Sequence, residues 1–208
     1  MGKSELIKKD KKNKKIIIFF ISLIIIIMSL FLFKEKDKIS SLVSDTPNQK
    51  SFVFKTIQGE TFEIIASPKK FKIPKLNHKI VFLKVFGWDC KYCQKEIPEL
   101  IKLKKQFDGA FDILAIESQH HSKEEDIKYI KEKGINYHVI AGDDYQDFLE
   151  YLKKYHGWNE VIPLSIVIGE DGRILAFEIG AKSYTLAELL KVSLQQYKMI
   201  KQLQQNKE

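Results

Sequence analysis

The segment IVFLKVFGWDCKYCQKE, Ile80 to Glu96, decides the fold of this chain. Ile80 to Phe86 is an apolar run interrupted only by Lys84, the pattern of a central strand buried on both faces. Gly87 follows it, and then come Cys90 and Cys93 at C-x-x-C spacing. Beyond the cysteines, Ile97, Leu100, Ile101, Leu103 and Phe107 recur at helical spacing. A helix is therefore expected over Lys91 to Phe107, with Pro98 inside it as a kink.

The cysteines thus fall where a buried strand gives way to a helix. Cys90 is expected at the helix N-terminus, where unpaired backbone N–H groups and the helix dipole favour a thiolate. Cys93, one turn further in, is expected to be shielded, which makes Cys90 the nucleophile and Cys93 the resolving thiol. Lys91 adds a favourable charge, while Asp89 opposes it. These are the only two cysteines among 208 residues. A disulfide between residues so close in the chain closes too small a loop to constrain the unfolded state, so a structural staple is a poor reading. Zinc would need two further ligands, and His78, His120, His121, His138 and His156 offer no matching pair at ligand spacing. His120-His121 reads as a solvated loop before a helix, with metal binding there as the alternative. Neither a metal nor a dissociable cofactor is expected; a redox-active Cys90–Cys93 disulfide would serve instead.

Upstream, Ser51 to Lys55 and Thr61 to Ala66 alternate apolar and polar residues around Gln58-Gly59-Glu60, a hairpin signature. Downstream, a strand is expected over Phe111 to Glu117 and a helix over Lys123 to Lys133, ended by Gly134. A strand over Tyr137 to Ile140 and a helix over Tyr145 to Tyr155, ended near Gly157, come next. The apolar run Pro163 to Ile168, a turn at Glu170-Asp171-Gly172, a strand over Arg173 to Ile179 and a last helix from about Thr185 complete the chain. This order describes an α/β domain with a mixed central sheet flanked by helices and an N-terminal hairpin extension.

The formal charge of +8 is concentrated at the start. Residues 1–15 carry seven lysines against Glu5 and Asp10, a net +5, and the remainder is close to balanced. A nucleic-acid partner is therefore not expected. Ile16 to Phe33 has no charge and no proline; as a helix it would be about 27 Å long, near the hydrocarbon thickness of a bilayer. The expectation is a basic cytoplasmic tail (1–15), a single transmembrane anchor (16–33), a polar linker (34–50) and an exported domain (51–208). A cleaved signal peptide is the competing reading, but Phe31-Leu32-Phe33-Lys34 is the wrong chemistry for a cleavage site.

Gly87 to Leu100, GWDCKYCQKEIPEL, resembles the active-site segment of membrane-anchored thioredoxin-like proteins of the TlpA/ResA type, in which C-x-x-C is followed by x-x-E-x-P. Ser51 to Ile65 is similar to their hairpin, Phe111 to Ile140 to their inserted strand-helix-strand, and Val161-Ile162-Pro163 with Gly172 to their cis-proline loop and closing hairpin. The resemblance implies a thioredoxin-like fold and a cis bond at Pro163, with Ile162 presenting its backbone to a substrate strand. It also implies that Glu96 is the active-site glutamate; one helical turn from Cys93, it is placed to exchange a proton with that thiol. Asp89 stands where the family has tryptophan, and Trp88, one position earlier, is the candidate substrate contact. Leu164 replaces the usual small hydroxyl residue after the proline. Lys84 occupies the site of the buried aspartate of thioredoxins proper, and either reaches the surface or pairs with Glu96.

The function implied is a thiol-disulfide oxidoreductase of the bacterial inner membrane, single-pass, with its C-terminal domain in the periplasm. By resemblance it reduces protein disulfides, such as those of apocytochrome c, with electrons from a membrane thiol transporter. Two alternatives stay open: an oxidase or isomerase of the cell envelope, and a metal or haem chaperone using both thiols.

Overall fold

A computed structural model of the chain describes residues 49–205. The expected tail and anchor, and all but the last residues of the expected linker, lie outside these. Among the described residues no helix is long and apolar enough to cross a membrane.

Alternation builds the N-terminal strands. Phe52 and Phe54 on β1 (Lys50–Lys55), and Phe62, Ile64 and Ala66 on β2 (Thr61–Ser67), all point to one buried face. The two pair antiparallel, and a third strand, β3 (Lys70–Lys72), pairs with β2. The second sheet has the order β6-β5-β4-β7-β8, comprising β4 (Ile80–Phe86), β5 (Phe111–Glu117), β6 (His138–Ala141), β7 (Leu164–Ile168) and β8 (Ile174–Ile179). Strands β4, β5 and β6 run parallel, while β7 is antiparallel to both β4 and β8, so the sheet is mixed as expected. The apolar run at Ile80 does form the central strand, buried along its whole length.

Two cores sandwich this sheet. On one face, Phe82, Phe86 and Ile113 pack against α1 (Lys91–Gln106) and α4 (Leu186–Gln205), with Tyr129 and Ile130 of α2 (Lys123–Lys133) at the margin. On the other, Val81, Leu83 and Val85 pack against α3 (Gln146–His156) and the three-stranded sheet. Phe148 of α3 is the hub of that second core, meeting Phe52 at 5.0 Å and Phe54 at 5.2 Å between ring centroids, both edge to face. Helices α2 and α3 end on Gly134 and Gly157 in the left-handed region, as their sequence signals indicate.

The hairpin does more than cover a face. Its turn protects the sheet edge at β6: Ile57 N–H donates to Val139 O at 2.7 Å, and the Gln58 side chain bonds both Tyr137 O and Val139 N–H. At its other end Phe71 N–H donates to Gly172 O at 2.7 Å, tying β3 to the β7–β8 turn. Strand β6 starts one residue later than expected. Strand β3 has only Phe71 as an apolar residue, too little for a local signal; it pairs with the adjacent β2 and is held on its other side by the distant Gly172 and Arg173. Gly142, after β6, lies so close to the Glu117 carbonyl that any Cβ there would overlap it.

His156 ends α3 with its ring stacked on Phe177 at 5.4 Å and edge-on to Phe71 at 5.0 Å. Burial pushes its pKa below the usual histidine value, and its Nε2 is buried without a hydrogen-bond partner. A histidine held neutral in the fold contributes stability above its unfolded pKa, about 6.5. That stability drains away as pH falls from there toward the lower folded value. Urea denaturation of the oxidised protein should therefore show a loss of stability below about pH 6.5 that is smaller in His156→Phe. Equal pH slopes in the two proteins would contradict this.

Candidate active site

The strand-to-helix junction places the cysteines as the sequence indicates. Cys90 is the N-cap of α1 in extended conformation, and the backbone N–H of Cys93 donates to its sulfur at 3.2 Å. The first helical hydrogen bond, Gln94 N–H to Cys90 O, is 2.9 Å. Cys90 and Cys93 form a disulfide with their Cα atoms 5.2 Å apart. Cys93 is only 2% exposed, whereas Cys90 lies at the margin of the core and reaches solvent. An N–H already aimed at Cys90 Sγ is positioned to stabilise a thiolate there once the bond is reduced.

The Ile162–Pro163 peptide bond is cis. Ile162 and Cys90 both border the cluster containing Phe86, Trp88 and Cys93, so the proline loop and the cysteine turn share one end of the sheet. This is the carboxyl end of β4 and β5, where open α/β sheets present their ligand sites. Trp158 braces the loop: its indole is buried and donates to Val161 O at 3.0 Å. Only a second tryptophan shortly before the proline hinted at this brace.

Trp88 is the correction. Expected at the substrate surface, it is 0% exposed. Its ring is packed edge-on to Phe86 at 4.8 Å and stacked on Tyr129 at 5.1 Å, and its Nε1 donates to buried Asp126 at 2.7 Å. A ring enclosed on both faces cannot touch a substrate; Tyr92, between the cysteines, is the exposed aromatic at 56%. Burial pushes the Asp126 carboxyl above the usual range, although the Trp88 bond pulls the other way.

Lys84 does not reach the surface. It is 1% exposed, on the face of β4 that α1 covers, and its Nζ is 2.7 Å from Glu96 Oε2 and hydrogen-bonded to Ser165 Oγ. Ser165 is its cross-strand partner on β7, two residues after the cis proline. Burial pulls the Lys84 pKa down, against the opposing charges of Glu96 and Glu99. Glu96 is thus placed one turn from Cys93 and committed to Lys84, with its side chain 19% exposed. The two adjacent histidines part company, His120 bonding Asp143 and His121 lying between Glu117 and Asp89. Among the described residues no group of three potential ligands is arranged to hold a metal ion.

A disulfide at a helix N-terminus, one sulfur accessible and the other buried, beside a cis proline on a mixed sheet, defines a thioredoxin-like thiol-disulfide oxidoreductase. The chain belongs to the AhpC/TSA family, whose profile matches residues 52–177. No curated protein matches it significantly. Among solved structures it is similar to a protein described as a thioredoxin from Neisseria meningitidis, at 21% identity and a TM-score of 0.55, over 73% of this chain and 92% of that one. A DsbF homologue from Corynebacterium diphtheriae matches at 19% identity and 0.54, over 71% and 87%. A secreted Mycobacterium tuberculosis disulfide oxidoreductase homologous to E. coli DsbE matches at 16% and 0.51, over 68% and 92%. At these identities the likeness concerns the fold.

The Lys84–Glu96 pair makes an asymmetric prediction. Glu96→Gln strands a buried ammonium and should cost about 3–5 kcal/mol in urea denaturation. Lys84→Met leaves a carboxylate that can reach water and should cost clearly less, and the double variant should recover most of the loss. Equal losses in the two single variants would argue against the pairing.

Proposed function

We propose that this protein is a membrane-anchored, extracytoplasmic oxidoreductase of the TlpA/ResA type that reduces disulfides in protein substrates, apocytochrome c among them. The observation that carries the reading is the cysteine turn itself: accessible Cys90 capped by the Cys93 N–H, with Cys93 buried behind it. The x-x-E-x-P sequence after the cysteines supports the type, and the apolar segment Ile16–Phe33 behind its lysine-rich tail supports the anchor.

The reaction starts from the reduced protein. The Cys90 thiolate attacks one sulfur of the substrate disulfide, whose other sulfur leaves as a thiolate and takes up a proton. The mixed disulfide between Cys90 and the substrate is then attacked by Cys93, which first gives up its proton. A Cys90–Cys93 bond forms and the second substrate thiol leaves. Two electrons have passed to the substrate, and a membrane dithiol transporter restores them. Glu96, one turn from Cys93, is the proposed proton acceptor, with Lys84 stabilising its charge before the transfer. The backbone before cis-Pro163, at Ile162, is the proposed docking edge for the substrate strand.

A second reading keeps the chemistry and reverses the electrons. The N–H aimed at Cys90 Sγ stabilises the thiolate, hence the reduced form, and makes the pair more oxidising. The equilibrium potential against glutathione separates the two. A reductase should lie below about −180 mV, and a value near about −120 mV would establish an oxidase instead. Insulin reduction by the wild type should be abolished in Cys90→Ser. Stoichiometric bound metal without insulin turnover would replace both readings with a chaperone.

A further inference from the structure

Asp89 directly precedes the nucleophile and is held from two directions by the segment that follows β5. Its backbone N–H donates to Gln119 Oε1 at 2.8 Å, and its carboxylate lies 3.1 Å from His121 Nε2. The other ring nitrogen, Nδ1, is 3.2 Å from Glu117 Oε1. Glu117 is buried on β5 and also accepts the Gln119 N–H at 2.9 Å. His121 is nearly enclosed, with its ring edge-on to Tyr129 at 5.6 Å. Tyr129 in turn stacks on Trp88, so the ring is locked in place from that side as well.

Nδ1 hydrogen-bonds Glu117, so a neutral ring with its single N–H there would turn the Nε2 lone pair toward the Asp89 carboxylate, whereas an imidazolium presents a charged N–H to it. The groups facing the ring are Glu117 from β5, Asp89 from the β4–α1 turn, and Glu125, Asp126 and Tyr129 from α2; none of these is cationic. Burial alone would lower the His121 pKa. The hydrogen bond and charge of Glu117, followed by Asp89 and Glu125, outweigh it and hold the pKa above the usual histidine value.

We infer that His121 is a positioning residue for the nucleophile: clamped as an imidazolium between buried Glu117 and Asp89, it fixes and compensates the carboxylate next to Cys90 and so favours the Cys90 thiolate. The inference rests on Cys90 being the attacking thiol of the proposed oxidoreductase. A carboxylate beside a thiolate raises the thiol pKa through like charge. Asp89 is exposed, and without His121 its side chain would be free to turn toward the sulfur. With His121 in place, the charge is drawn toward α2 and offset there.

Two titrations of the full chain test this. In the wild type, NMR reads the His121 pKa in the oxidised and the reduced protein. Linkage requires that if His121 stabilises the thiolate, the thiolate raises the His121 pKa in return. The expected result is an upward shift of about half a unit on reduction. In His121→Gln, the pH dependence of Cys90 alkylation should move up by about half a unit, a roughly threefold smaller thiolate fraction below the pKa. A His121 titration identical in both redox states over the pH range in which Cys90 alkylates as a thiolate overturns the inference whatever the variant does, because any effect of the variant would then be structural. A folded His121→Gln with an unchanged Cys90 titration overturns it too. Should loss of the partner of Glu117 prevent that variant from folding, the wild-type titration still decides. Neither titration uses a substrate. Wild-type protein that does not turn over insulin removes the reductase reading, and insulin reduction that survives Cys90→Ser removes Cys90 as the attacking thiol; absent linkage with Cys90-dependent insulin reduction intact removes this inference alone.

Discussion

The Lys84 ammonium ties together the three elements that hold the cysteines and the proline. It rises from central strand β4, pairs with Glu96 on the helix that carries Cys93, and bonds Ser165 on the strand that leaves cis-Pro163. A buried charge is tolerated only with its partners in place, so relative sliding of β4, α1 or β7 would strand it at a cost of several kcal/mol. An apolar residue at position 84 would give comparable burial without that penalty for misalignment. The polar trio therefore contributes registration more than stability. It holds Cys93 and the proline loop to a common frame beneath the accessible sulfur.

Above that frame the two flanks of Cys90 are built differently. The proline side is stiff and largely apolar: Ile162 packs into both cores, and the Trp158 indole ties down the Val161 carbonyl. The opposite side is polar and charged, with Asp89 gripped through its backbone by Gln119 and through its side chain by His121. Gly87 lets Gln119 approach, since a Cβ there would occupy the space of the glutamine side chain. Trp88 belongs to this second flank as its inner wall. Its burial follows from Asp126, whose carboxylate gives the indole N–H a partner inside the protein.

Much of this was legible in the sequence because it rests on local signals. The run from Ile80 to Phe86, the helical spacing after Cys93 and the glycines at 134 and 157 each specify an element without reference to the rest of the chain. The hairpin alternation and the C-x-x-C at a strand-to-helix junction were equally plain. What escaped depends on contacts between distant residues. Strand β3 pairs locally with Ile65 to Ser67, but its other side is fixed by the distant Gly172 and Arg173. The direction of Trp88 is set by Tyr129 and Asp126, some forty residues away in the chain. Lys84 could be seen as an intruder in an apolar run, but its choice between solvent and Glu96 turned on Ser165, which lies opposite only because β7 is antiparallel to β4. His120-His121 read as one cluster, yet the left-handed backbone at His120 sends the two rings to different partners.

The charges around Cys90 also bear on which way electrons run. Everything that stabilises the thiolate stabilises the reduced protein and makes the pair a better oxidant. The helix N-terminus and the Cys93 N–H act in that direction, and so does exposed Lys91. Asp89 acts against them, in a position where the resembling family carries an uncharged tryptophan. A reductant needs a thiol that attacks readily without holding its electrons too firmly, and attack is fastest when the thiol pKa lies near the ambient pH. An uncompensated Asp89 would lower the thiolate fraction, and its absence would leave the helix terminus unopposed. A carboxylate compensated by a histidine is intermediate, which is compatible with a nucleophilic Cys90 in a pair of the reducing kind proposed above.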